Sequence, residues 1–164
     1  VDRVPTESLR VCKAWFEMML TDLRNARQRL PTIDAFSDGT DNVLEEFVLD
    51  RPVAGRRFDG VMQDWRANDT PWMFPPIALI PKAVQRWRDS PSRLAYVCVP
   101  DARLSHSWLR GIAELRPVCR FRDVVVEGVP EGSDWRFVVY AILKPQPSKG
   151  EPAPDVREMK RKKV

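Results

Sequence analysis

In the stretch TPWMFPPIALIPKAVQRW, residues 70 to 87, two adjacent prolines separate an aromatic run from an amphipathic helical pattern. Pro75-Pro76 can be simple punctuation, since proline lacks an N–H and its fixed φ both ends a strand and starts a helix. It can also be chemical, a reading that depends on the family resemblance given below. Three carboxylates that precede it, Asp34, Asp59 and Asp64, are candidates for a shared site. His106 is the only histidine. It falls between two serines in a predicted helix's first turn and reads as a surface residue. No second carboxylate block follows it, so no Ser/His/Asp set is formed. The cysteines, Cys12, Cys98 and Cys119, are odd in number, far apart and outside any C-x-x-C pair, which argues against a zinc site. We expect no metal. Cys98 lies in the apolar run LAYVCV and reads as a small core residue. All three are expected to be reduced, in an intracellular compartment that keeps thiols so.

The elements that must position these residues follow from periodicity. Residues 7 to 30 read as one long helix capped by Thr6, with Leu9, Cys12, Phe16, Met19, Leu23, Ala26 and Leu30 at alternating three and four spacing. This seam is expected to dock on the body rather than form a coiled coil. The basic run RNARQRL within it reads equally as a solvated face or a ligand surface. TIDAF (32–36) predicts a short buried strand followed by the polar loop SDGTDN. Residues 41–57 are ambiguous: NVLEEFVLD fits a helical turn or two before RPVAGRR breaks it. PWMF (71–74) predicts a strand and residues 77–89 a helix with Ile77, Ile80, Val84 and Trp87 on one face. LAYVCVP (94–100) predicts a strand covered on both faces, and Ser105 caps a helix through Leu115. RFRDVVVEGV and WRFVVYAILKP, separated by PEGSD, predict an antiparallel hairpin near 122–128 and 136–144.

The predicted architecture is α/β: a Rossmann-like, mostly parallel sheet with a C-terminal antiparallel hairpin, preceded by one long N-terminal helix. Right-handed crossovers would bring strand carboxyl ends to one rim, holding Asp34–Ser37, Phe74–Pro76 and Pro100-Asp101. The organisation reads as an N-terminal helix (1–31), a domain (32–145) and a Pro-rich linker with a basic tail (146–164).

At 164 residues, 43% hydrophobic and 30% charged, the composition is that of an ordinary globular chain. No apolar run is long enough for a membrane helix, and no membrane insertion is expected. The net charge is +4, but from Lys149 onward six basic residues face Glu151, Asp155 and Glu158, a net +3, which leaves +1 for everything before. Pro145, Pro147, Pro152 and Pro154 read as an extended linker. The tail, with Lys160, Arg161, Lys162 and Lys163, is the expected contact to nucleic-acid phosphates.

The ordered set IDAFS, FDGVMQDW, PWMFPPIALIPKAVQRW and YVCVPD with SWL beyond resembles the phage-type adenine DNA methyltransferase domain, most closely the version carried by DIRS-type retrotransposons. The resemblance spans about residues 32 to 145. It implies S-adenosylmethionine at the sheet's carboxyl edge, with Asp34, Phe36, Ser37 and Asp59 beside it. Asp59, Asp64 and Trp65 would form the family's central block, and Phe74, Pro75, Pro76 and Ile77 its catalytic motif.

The family's active motif is Asp or Asn, Pro-Pro, then an aromatic. The polar side chain and the first proline's carbonyl accept the N–H bonds of the target amine, and the aromatic stacks on the flipped base. Here Phe74 has no acceptor and Ile77 has no ring. Gly39 is the one glycine left of the cofactor turn. Loss of a single well-placed hydrogen-bonding group costs roughly 10²–10³ in rate. The reading is therefore a catalytically degenerate, methyltransferase-like domain without cofactor. It would serve as a structural or nucleic-acid-associated subunit among the protein subunits of a larger assembly, with an organellar ribonucleoprotein such as a mitochondrial ribosome preferred. The alternative is an active S-adenosylmethionine-dependent adenine methyltransferase on DNA or RNA. Six tryptophans are many for this length, and any not in the core are candidates for contact surface.

Overall fold

A computed structural model of the chain describes residues 9–37, 42–49, 53–54, 57, 59–101, 115 and 117–144. In chain order these form β1 (Arg10–Val11), α1 (Lys13–Asn25), β2 (Ile33–Ser37), β3 (Phe47–Leu49), β4 (Pro71–Met73), α2 (Ile80–Arg88), β5 (Leu94–Pro100), β6 (Val118–Phe121), β7 (Val126–Glu127) and β8 (Phe137–Leu143). The main sheet has the order β3-β2-β4-β5-β8-β6. Its β3–β2, β2–β4 and β4–β5 pairs are parallel, whereas β8 runs antiparallel to both β5 and β6. A second, two-stranded sheet joins β1 and β7 antiparallel.

Alternate residues of the central strands feed two separate cores, as a side-chain period of two requires. Ala95, Val97 and Val99 of β5, with Val138 and Ile142 of β8, face Ile80, Val84 and Trp87 of α2. Tyr96, Cys98, Phe137 and Val139 face the other way, onto Phe16, Met19 and Leu23 of α1. Burial on both faces explains why LAYVCVP carries no polar alternation. The Phe16 ring meets Trp72 edge-on at 4.9 Å, so the helix docks on the sheet.

The Rossmann-like expectation is corrected. The main sheet is mixed, and among the described residues the α-helices are two and short. Among the described residues no long N-terminal helix is present: α1 begins at Lys13, because Arg10–Val11 pairs with β7 and the Cys12 N–H donates to Val125 O at 2.9 Å. Tertiary strand pairing outcompetes the local helical period there. Thr6 lies outside the described residues.

The expected hairpin is corrected too. β8 takes β6 as its neighbour, with Val118 opposite Ala141, and the run at 126–127 leaves for β1. Asp123, in the left-handed region at φ 56°, separates the two runs. Phe47–Leu49, within the ambiguous 41–57 stretch, is a strand on the edge of β2. The helix after the prolines opens as one 3-10 turn, Ile77–Leu79, and becomes α-helical from Ile80 with Pro81 in its first turn. The strands predicted at 32–36, 71–74 and 94–100 appear at Ile33–Ser37, Pro71–Met73 and Leu94–Pro100. Residues 102–114, including Ser105 and His106, lie outside the described residues.

Candidate functional site at the carboxyl rim

The parallel strands β2, β4 and β5 end on one side of the sheet, and the chain enters β8 there at Phe137, opposite Pro100. This rim holds the predicted Phe36, Ser37, Phe74, Pro75 and Pro76, whereas Asp34 lies near the start of β2, opposite Phe47 and Trp72. Asp34 is buried, and its two carboxylate oxygens accept from the Phe36 N–H at 3.1 Å and the Val43 N–H at 3.0 Å. The carboxylate therefore ties β2 to the segment that leads into β3. Ser37 is buried, and Phe36 is half-buried against the α2-side core. Gly39 lies outside the described residues.

Phe74 follows β4 directly. Its ring stands edge-on to Phe137 at 5.7 Å, and Phe137 in turn meets Trp135 at 6.4 Å. Such offset perpendicular pairs suit the quadrupoles of the rings. Trp135 is 40% exposed, so the row runs from the core to the surface. Ile77 packs partly against the α2-side core. Pro75 is buried, and the Pro76 carbonyl accepts the Leu79 N–H at 2.8 Å to start the 3-10 turn. At this rim the proline pair is punctuation between β4 and α2.

The central block is split by the fold. Asp59 sits in the left-handed region at φ 66°, with its carboxylate accepting the Met62 N–H at 3.3 Å. Its own N–H donates to Leu49 O at 2.8 Å, which carries this turn along β3. Gly60 lies so close to β2 that an added Cβ would fall 2.1 Å from Ala35 O. Asp59 is thus brought beside β2. Asp64 is not: its side chain is 93% exposed and pairs with Arg86 of α2 at 2.5 Å. Trp65 is buried in the core.

Sequence reasoning missed a polar cluster on the far side of this loop. Arg57 donates to Gln63 Oε1 at 2.5 Å, to Asp69 Oδ2 at 3.0 Å and to the Asp64 carbonyl at 3.3 Å, and lies 5.6 Å from the Trp65 ring centre. The Asp69 carbonyl accepts from Ser92 Oγ, which accepts from Trp87 Nε1, both at 2.8 Å. A shallow cleft of about 710 Å³ opens beside Arg57, Gln63, Trp65, Arg66 and Pro91. None of the rim residues lines it. The basic run RPVAGRR was the only signal, and it does not name its partners.

Among the described residues no group of three or more His, Cys, Asp and Glu is placed to hold a metal ion, and no helix is long and apolar enough to cross a membrane. The three cysteines are free thiols, and burial pushes the Cys98 thiol well above its ordinary pKa, which leaves it inert. Lys160, Arg161, Lys162 and Lys163 lie outside the described residues. Comparisons with protein families, with curated proteins and with solved structures yield no match.

Proposed function

We propose that the chain is a non-catalytic domain acting as a structural, nucleic-acid-associated subunit of a larger assembly. The observation that carries this reading is Phe74. Where amine methylation needs a hydrogen-bond acceptor, the chain places a ring edge-on to Phe137. On the neighbouring strand β2, the two Asp34 oxygens hold the backbone N–H groups of Phe36 and Val43. A carboxylate committed in this way stabilises the fold and is poorly placed to act on a substrate.

The basic tail is the proposed contact to phosphates, because short cationic segments gain affinity by releasing condensed counterions. The preferred setting is an organellar ribonucleoprotein such as a mitochondrial ribosome. The three free thiols suit a reducing compartment.

The test combines chemistry and binding on the full chain. With labelled S-adenosylmethionine and DNA or RNA, the protein is expected to transfer no methyl group, and calorimetry to show no cofactor binding. Turnover above background would establish the active methyltransferase instead. A fluorescent oligonucleotide should bind with an affinity that falls steeply with salt. No binding at low salt removes the nucleic-acid part of the reading.

A further inference from the structure

The basic stretch RNARQRL, residues 24 to 30, plays no part in the carboxyl rim. Its backbone closes α1: the Gln28 N–H donates to Leu23 O at 2.9 Å and the Arg27 N–H to Arg24 O at 3.0 Å. This is the Schellman arrangement, whose left-handed residue is most often glycine because a Cβ is crowded there. Here that residue is Arg27, at φ 58°. The chain accepts backbone strain to set a guanidinium at the tip of the helix.

Three further arginines lie on or reach this end of α1. Arg24 lies in the last turn of α1. Arg29 is held by its backbone, whose carbonyl accepts the Tyr96 hydroxyl, and by Nη2 donating to Asn68 O at 3.5 Å. Arg120 arrives from β6, with Nη2 donating to Gln28 Oε1 at 3.5 Å. Burial raises the Tyr96 phenol's pKa, and the charges of Arg120 and Arg29 both oppose that rise, as two cations close to one hydroxyl must. All four arginines are exposed. None forms an ion pair with a carboxylate among the described residues, unlike Arg57, Arg86 and Arg122. Asp22, one turn back on α1, is the nearest carboxylate along the chain.

A helix dipole favours cations at a C-terminus, which accounts for Arg24. It does not account for an arginine in the glycine position, nor for one contributed by a strand distant in sequence. We infer that Arg24, Arg27, Arg29 and Arg120 form a second nucleic-acid contact, on the body itself, which receives successive phosphates of a strand's backbone. A planar guanidinium matches phosphate oxygens in a fork, and four of them on an open surface fit a polymer of phosphates better than one small anion. This inference rests on the nucleic-acid reading above.

Arg27→Gly gives the cleanest test, since it removes the charge and relieves the backbone together. Oligonucleotide affinity is measured against salt for the full chain, for this variant, for Arg24→Gln/Arg29→Gln/Arg120→Gln, and for a tail variant with Lys160, Arg161, Lys162 and Lys163 all changed to Gln. Each lost phosphate contact lowers the slope of log K against log salt by about 0.7 for single strands or about 0.9 for duplex. Arg27→Gly is expected to bind more weakly with a shallower slope while its Tm equals or exceeds the parent's, which excludes misfolding as the cause. The triple variant should lose roughly twice that slope or more. Parent-like slopes in both body variants, with loss confined to the tail variant, would overturn the body site and leave the nucleic-acid reading standing. A parent chain that binds no oligonucleotide at low salt would overturn both.

Discussion

Along β2 and just past β4, Asp34 is buried with both oxygens holding backbone N–H groups, and Phe74 is packed on Phe137. At the end of α1, four arginines stand exposed without carboxylate partners among the described residues, one of them in a strained conformation. The first region resembles an active site in sequence yet directs its polar groups inward, where they stabilise the fold. The second is announced only by the basic run RNARQRL and leaves its charges outward. A buried polar group left unpaired costs about 1–3 kcal/mol, so groups already paired are hard to recruit for a ligand. Exposed, unpaired charges carry no such constraint.

Substitutions in the first region should therefore act on stability, and the largest effect is expected at Gly60. Gly60→Ala would place a Cβ 2.1 Å from Ala35 O, a backbone atom that cannot yield without moving β2. A loss of about 3 kcal/mol in denaturant unfolding is expected, with nucleic-acid affinity of the folded fraction unchanged. A loss below about 1 kcal/mol would show that the Asp59–Gly60 turn is loosely placed on β2.

Asp34→Ala strips two backbone N–H groups of their acceptor. It should cost about 2–3 kcal/mol, with Asp34→Asn retaining part of that because one oxygen remains. Were Asp34 instead held for a ligand, both variants would keep their Tm, and the contrast between the two regions would fail.

At the α1 end the sign reverses. Arg27→Gly should leave stability unchanged or raise it by up to about 1 kcal/mol, since relief of the left-handed strain is offset by glycine's greater unfolded-state freedom. Thermal unfolding of the two proteins side by side checks this. A clear destabilisation would mean that the arginine packs rather than projects.

The smallest effect concerns Lys144, just past β8. Its ammonium lies 4.7 Å from the Trp87 ring centre and donates to the Ser90 carbonyl. Burial first, then the charge of Arg93, lowers its pKa to about 8, with Asp89 opposing. A folded pKa below the unfolded one means that the unfolded chain binds more protons in between, so stability should rise with pH from about 8 towards 10. Burial raises the phenols of Tyr96 and Tyr140, which act in the opposite sense only above that window. Lys144→Met should flatten the rise in Tm between these pH values. An unchanged slope would show that the aromatic face and the carbonyl fully offset the burial.

The apolar runs at 33–37, 71–73 and 94–100 were legible because each has the length and composition of a buried strand. The faces of both helices were legible too, with Phe16, Met19 and Leu23 on one and Ile80, Val84 and Trp87 on the other buried as spaced. The start of α1 was not. Leu9 and Cys12 fit the helical period, but Arg10–Val11 finds Val126–Glu127 across space. The hairpin failed for the same reason, since β8 has two apolar runs before it to choose from. At the candidate site the missing acceptor at Phe74 could be read from residue type alone. The commitment of Asp34 to the Val43 N–H, and the Arg57–Asp69 pair, could not.

By itself, the order of residues determined where the chain would be strand or helix from residue 71 to 100, and that Phe74 brings no acceptor to the rim. Periodicity and functional groups are properties of neighbouring residues and survive without knowledge of the fold. Tertiary structure alone decided that β8 runs between β5 and β6, that Val126–Glu127 pairs with β1, and that Arg120 meets Gln28 from 92 residues away. Several apolar runs are equally fit to pair. Which of them do is set by burial and hydrogen bonding summed over the whole chain, a quantity that no single stretch contains.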